Sequence, residues 1–160
     1  MRPRRLANIS YLGCQRYFLT ICTSERRECF TDARLVDVVW LQFSRQAEAH
    51  AFAVIAYCFT PDHLHLLVEG TSDAADLCSF VSTAKHRGAY AARKWIRGRL
   101  WQPGYYERVL REGDDALDVN RYILQNPVRA GLARSPGDYP FLGGMVAVEE
   151  LEIAASWRPK

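Results

Sequence analysis

Two histidines at a spacing of two, His63 and His65, lie in the strongly apolar segment Tyr57–Val68. On a β-strand the side chains alternate between faces, so both imidazoles would point the same way while Leu64 and Leu66 point the other way. Neutral imidazole is the commonest metal ligand, and burying two of them on one face would be costly without a shared partner. The pair therefore predicts a metal site. The alternative is a half-exposed strand with two incidental histidines.

A second candidate group lies in the segment Asp118–Pro127, where Tyr122 and Asn126 are four residues apart. On a helix these two side chains share one face about one turn apart, whereas Ile123 and Leu124 would face the core. A tyrosine hydroxyl can act as a covalent nucleophile, and an amide oxygen can complete a two-histidine metal site. The alternative is a partly buried aromatic residue and an asparagine that caps the helix.

Periodicity and turn signals indicate the elements that must position these groups. In chain order the pattern predicts a strand over 16–23, a helix over about 33–50 with Asp32 as its N-cap, strands over 51–59 and 63–68, a helix from about 74, a strand over 105–111, and a helix from about 113–115 to 126. The last helix is expected to stop at Asn126 because Pro127 follows. A tight turn at Thr60-Pro61-Asp62 would place both histidines on one arm of a hairpin. This order predicts an α+β fold with an antiparallel sheet and helices packed mainly on one face.

Length and composition predict one globular domain over residues 1–160, since 49% of the residues are hydrophobic and 24% are charged. Five cysteines without a Cys-x-x-Cys pair favour neither a disulfide framework nor a zinc knuckle, and fit a reducing cytosol. The basic N-terminus is not followed by an apolar segment, and no apolar run is long enough to span a membrane. We therefore expect a cytoplasmic protein.

The net charge of +3 only mildly favours an anionic partner, but the basic residues are unevenly distributed. No Asp or Glu occurs from Leu77 to Tyr106. This stretch combines cations with interleaved aromatic residues: Lys85, Arg87, Arg93, Lys94, Arg97, Arg99 and Trp101. Cations neutralise phosphates and aromatic faces stack on unpaired bases, so the mixture suits a nucleic-acid strand. A solvated helix face with its aromatic residues in the core is an equally good interpretation.

Several motifs together resemble a known family. The segment Thr60–Leu67 resembles the His-hydrophobic-His (HUH) motif of single-tyrosine transposases, which usually follows Met-Pro-Asn. Leu100–Tyr106 and Arg121–Leu132 resemble later blocks of the REP-associated tyrosine transposases, a domesticated branch of that family. Asp138–Phe141 is similar to the closing Asp-Tyr-Pro-Trp of that branch. Order and spacing agree over about residues 16–142, and 143–160 form a tail of unknown role.

The resemblance implies a ferredoxin-like (RRM-like) palm in which Tyr122 is the nucleophile, and His63, His65 and Asn126 hold a divalent metal, Mg²⁺ or Mn²⁺. It also implies hairpin-forming single-stranded DNA as the partner, a 5′-phosphotyrosine intermediate, and a monomer or homodimer. The departures from the family pattern are Thr60 for Met, Asp62 for Asn and Phe141 for Trp. Asp62 could add a carboxylate ligand or change the metal preference.

Two other functions stay open at this point. A non-catalytic module of the same fold would bind DNA hairpins without forming a covalent adduct. A metal-dependent hydrolase of another substrate would need both histidines but not the hydroxyl of Tyr122.

Overall fold

Five antiparallel strands form one open sheet in the computed structural model, which describes residues 9–111, 113–114 and 116–145. The strands are β1 (Arg16–Cys22), β2 (Phe52–Thr60), β3 (His63–Gly70), β4 (Tyr106–Leu110) and β5 (Leu142–Gly144), in the sheet order β4-β1-β3-β2-β5. The helices are α1 (Ala33–Ala49), α2 (Leu77–Ala92), α3 (Ala116–Leu124) and α4 (Asn126–Arg129). The predicted α+β fold is confirmed.

The two faces of the sheet carry separate apolar cores, because side chains alternate along each strand. On one face, residues such as Leu19, Phe59 and Leu66 are fully buried beneath α1 and α2. On the other face, Leu67 of β3 packs in a smaller cluster with Ile123 of α3. The two long helices therefore share one face of the sheet, and α3 crosses the opposite face, which also carries the two histidines.

Both long helices begin at an aspartate that accepts backbone hydrogen bonds. Asp32 accepts from the N–H of Arg34 at the start of α1, as the sequence predicts. Asp76 accepts from the N–H groups of Cys78 and Ser79 at the start of α2, which begins three residues later than the predicted Ala74. Such caps satisfy amide groups that have no partner within the helix.

The C-terminal part differs from the sequence prediction. The predicted helix does not run to Asn126, because α3 ends at Leu124 and Asn126 opens the separate short helix α4. Pro127 lies in the first turn of α4, where its missing N–H costs no hydrogen bond. The short strand β5, which pairs with β2, was not predicted. Asp115, the basic start of the chain and the acidic residues after Gly144 lie outside the described residues.

Two glycines should respond to alanine in opposite directions. A Cβ on Gly70 would collide with the backbone oxygen of Gly13, so Gly70→Ala must displace the backbone and should cost about 1–3 kcal/mol. A Cβ on Gly88, within α2, would meet Phe43 and Val39 at 3.5 Å, an ordinary contact. Gly88→Ala should therefore stabilise the protein by up to about 1 kcal/mol through helix propensity. Urea denaturation of both variants measures the change in the free energy of unfolding. Equal destabilisation of the two would contradict this packing.

Candidate active site

The imidazoles of His63 and His65 face each other on β3, with their Nε2 atoms 3.0 Å apart. The sheet register places Cys22 of β1 and Thr60 of β2 on either side of His63. In the same way, Thr20 and Cys58 flank His65. His65 is buried at 6% exposure, whereas His63 is only partly covered. The predicted convergence of the two rings on one sheet face is therefore present.

Hydrogen bonds on the far side of each ring fix the orientation of both imidazoles. The Nδ1 of His63 lies 2.7 Å from Oδ1 of Asp62 and 2.8 Å from the hydroxyl of Thr60. The Nδ1 of His65 lies 3.0 Å from the hydroxyl of Thr20. An ionised carboxylate only accepts, so His63 carries its proton on Nδ1 and presents the lone pair of Nε2 to His65.

Asp62 supports this arrangement from behind the ring of His63. Its second oxygen accepts from Nε of Arg26 at 2.9 Å, and Nη1 of Arg26 lies 2.8 Å from Sγ of Cys22. Burial alone would raise the pKa of Asp62, but the hydrogen bond from His63 and the charges of His63 and Arg26 lower the pKa below its usual value. The carboxylate therefore faces Nδ1 and is directed away from the converging Nε2 atoms.

Burial keeps both histidines neutral. It lowers the pKa of His63, although the hydrogen bond that His63 donates to Asp62 acts in the opposite direction. Burial, with the neighbouring His63, lowers the pKa of His65 to about 3. Unprotonated imidazoles are the form that binds cations.

The lowered pKa of His65 predicts an acid-sensitive fold. The folded protein keeps this ring neutral down to about pH 3, whereas the unfolded chain gains a proton near pH 6.5. The unfolded state then binds more protons, so stability falls as pH falls through this window. Between pH 7.5 and pH 5, the titration of His65 should lower the free energy of unfolding by about 2 kcal/mol. Urea denaturation in EDTA measures it, and His65→Gln, which cannot titrate, should lose that share of the pH dependence.

Tyr122 of α3 lies at the edge of the two-histidine pair. Its ring centroid is 6.3 Å from that of His65 and 5.8 Å from that of Phe18. The side chain is 47% exposed, whereas its neighbours Ile123 and Leu124 are buried, as predicted. The face of α3 that carries Tyr122 is therefore open to solvent beside His65.

Asn126 begins α4, four residues after Tyr122, and is partly buried. Within the described ranges its side chain has no hydrogen-bond partner. The described part of the chain contains no group of three His, Cys, Asp or Glu residues arranged to hold a metal ion. Metal binding by Asn126 stays a prediction, for which an amide oxygen is a suitable donor.

Comparison with known proteins identifies the family. The family model described as "Transposase IS200 like" matches residues 13–126, which is more than half of the chain. The chain belongs to the IS200-like transposase family. The predicted resemblance to this family is thereby confirmed.

Relatives of this transposase family member include two bacterial proteins named as REP-associated tyrosine transposases. That of Haemophilus influenzae, provisionally so named, is 26% identical over an alignment of 137 residues that covers 78% of this chain and 77% of the relative. That of Escherichia coli is 27% identical over 90 residues, 56% of this chain and 53% of the relative. A structure described as a REP-associated tyrosine transposase bound to a REP hairpin superimposes with a TM-score of 0.75 at 20% identity, over 98% of this chain and 89% of that one. The last likeness shows a shared fold.

The basic stretch of this family member contains two structurally different groups. Lys85 donates to the backbone oxygens of Gln102 and Gly104, and Trp101 is 5% exposed and donates to the backbone oxygen of Lys85. The remaining predicted DNA contacts are exposed: Arg87, Arg93, Lys94, Arg97 and Arg99. DNA binding by these residues stays a prediction, and it now depends mainly on the exposed cations. In the described chain no helix is long and apolar enough to cross a membrane.

Sequence analysis missed the residues that support the site. Thr20 of β1 contacts His65, and Arg26 of the turn that follows β1 contacts Asp62 behind His63; both lie about 40 positions upstream of their partners in the chain. Arg129 stacks on Tyr122 from the end of α4. Spacing along one strand could not indicate the first two, and the third depends on the break between α3 and α4, which the sequence prediction did not include.

Proposed function

We propose that this protein is a DNA strand transferase that cleaves single-stranded DNA beside a hairpin and joins the strand to another end. The observation that carries the proposal is the exposed ring of Tyr122, at 6.3 Å between ring centroids from His65. Membership of a transposase family and the names of the two relatives support the same reaction class.

A divalent metal would be held by His63, His65 and Asn126, and when bound it would supply Lewis-acid polarisation of the scissile phosphate. The donor set fits such an ion, because both histidines are neutral and their Nδ1 atoms are engaged with Asp62, Thr60 and Thr20. The two Nε2 atoms converge to 3.0 Å, so one ion could be held by both rings. Mg²⁺ or Mn²⁺ is the metal that we propose for this site.

The chain's own residues would carry out a transesterification. The hydroxyl oxygen of Tyr122 attacks phosphorus, the bond from phosphorus to the 3′ oxygen breaks, and the proton of the phenol is replaced by one on the released 3′-hydroxyl. One phosphodiester replaces another, so the 5′-phosphotyrosine retains the energy needed for joining. Attack by a second 3′-hydroxyl reverses the step and frees Tyr122.

The DNA strand would approach along the turn that supports the site. Arg97 and Arg99 line a pocket of about 410 Å³ together with Ser24, Glu25 and Arg27. Arg27 donates to the backbone oxygens of Arg97 and Arg99, and the adjacent Arg26 reaches Asp62 behind His63. Cations along this path suit the backbone of a single strand, and hairpin DNA is the partner named for the similar structure.

A covalent capture experiment tests the proposal. The full chain is incubated with Mn²⁺ and a pool of single-stranded oligonucleotides that form hairpins with randomised stems and flanks. We expect a denaturation-resistant adduct, with the attached nucleotide mapped to Tyr122 by mass spectrometry and the preferred sequence read from the captured strands. Hairpin binding without any adduct would support a binding module instead. Cleavage without an adduct would support a hydrolase.

A further inference from the structure

Arg129, the last residue of α4, lies directly over the ring of Tyr122. Its guanidinium carbon is 3.9 Å from the ring centroid, and Nη2 donates to the backbone oxygen of Tyr122 at 3.0 Å. That oxygen is near the C-terminus of α3, where carbonyl groups lack helical partners. The break between α3 and α4 thus places Arg129 next to Tyr122, seven positions earlier in the chain. Its planar guanidinium group packs on the phenol ring.

The charge of Arg129 is not neutralised by a carboxylate in the described ranges. Three other arginines near the site form ion pairs: Arg26 with Asp62, Arg121 with Asp118, and Arg108 with Asp114. Arg129 forms none within that part of the chain, and it is exposed. An exposed guanidinium whose face is fixed on an aromatic ring keeps its N–H edge available for an anion.

The ring that Arg129 covers lies beside the pair of histidines. The ring centroid of Tyr122 is 6.3 Å from that of His65, on the face of the sheet that α3 crosses. The guanidinium group, 3.9 Å from the centroid of the same tyrosine ring, is therefore next to the candidate site.

We propose that Arg129 binds the non-bridging oxygens of the scissile phosphate beside Tyr122, and holds the same phosphate once it is attached to that tyrosine. This role rests on the proposed function. Negative charge increases on these oxygens as the bond from the phenol forms and the bond to the 3′ oxygen breaks. A fixed guanidinium stabilises that charge, and its two-pronged edge matches two phosphate oxygens.

The first experiment uses the oligonucleotide selected by covalent capture, in two forms. One has the normal scissile phosphate, and the other has a methylphosphonate, which carries no charge. Arg129→Gln should slow adduct formation by about 10²–10³-fold on the phosphate. It should slow the reaction less than tenfold on the methylphosphonate. Arg129→Lys should have an intermediate rate on the phosphate. Lysine keeps the positive charge but lacks the two parallel N–H donors of the guanidinium group. Arg45→Gln, an exposed charge change on α1, should leave both rates unchanged.

Equal slowing of Arg129→Gln on both substrates would overturn the proposal, because a structural defect does not depend on the charge of the phosphate. A second measurement is independent of cleavage. The protein is labelled with 3-fluorotyrosine, the Tyr122 signal is assigned by its loss in Tyr122→Phe, and inorganic phosphate is titrated in EDTA. We expect a saturable shift of that fluorine signal, with affinity reduced at least tenfold in Arg129→Gln. No shift in the wild type, or the same affinity in the variant, would overturn the proposal even if no DNA were cleaved.

Discussion

Tyr122→Phe should abolish the covalent adduct between protein and DNA while leaving the fold and hairpin binding intact. The substitution removes only the hydroxyl. Within the described structure, the contacts of Tyr122 are made by its ring and its backbone oxygen. The side chain is 47% exposed, so the free energy of unfolding should change by less than about 0.5 kcal/mol. Removal of a catalytic nucleophile should lower the rate of adduct formation at least about 10⁴-fold.

Tyr90→Phe is the matched control, because Tyr90 repeats the local geometry of Tyr122. It is 64% exposed, and the guanidinium carbon of Arg93 lies 3.9 Å from its ring centroid. Arg93 also donates to its backbone oxygen, at 2.8 Å. Tyr90, however, belongs to α2, which packs on the other face of the sheet. Its variant should form adduct at the wild-type rate. An adduct that persists in Tyr122→Phe, detected on a denaturing gel, would refute the assignment of the nucleophile.

Replacing either histidine of the pair should remove the metal site. In His63→Asn or His65→Asn one of the two converging nitrogens is lost, which leaves one imidazole and the amide oxygen of Asn126 as the proposed ligands. We expect the affinity for Mn²⁺ to fall at least about 100-fold and the adduct rate with it. Mn²⁺ binding is measured by electron paramagnetic resonance. His86→Asn, on the exposed side of α2, is the control.

Thermal unfolding of the metal-free variants separates a lost ligand from a lost fold. His63→Asn is the cleaner of the two variants, since His63 is less buried than His65. Unchanged Mn²⁺ affinity in a folded His63→Asn variant would exclude this pair as the metal site.

Local patterns were sufficient to predict most of the fold. Alternation predicted that His63 and His65 share a face, and the cap at Asp32 placed the start of α1. The predicted end of the last helix was wrong. The rule that a helix stops before proline does not distinguish the end of one helix from the first turn of the next. Strand β5 has two glycines among its three residues and too short a pattern to predict from periodicity.

The composition of the basic stretch could not tell interior side chains from exposed ones. The ammonium group of Lys85 and the indole N–H of Trp101 donate hydrogen bonds to backbone carbonyl groups, because the loop after α2 folds back along that helix. Arg97 and Arg99 belong to the same stretch and are exposed. That difference depends on the path of the loop between α2 and β4, which distant contacts determine.

The sheet order gives the two halves of the site unequal resistance to local opening. Strand β3 pairs on both sides, with β1 and β2, so amide exchange within it requires disruption of the sheet itself. Tyr122 belongs to a nine-residue helix on the surface of that sheet, held by a small apolar cluster. We therefore expect the amide hydrogens of α3 to exchange with solvent faster than those of β3.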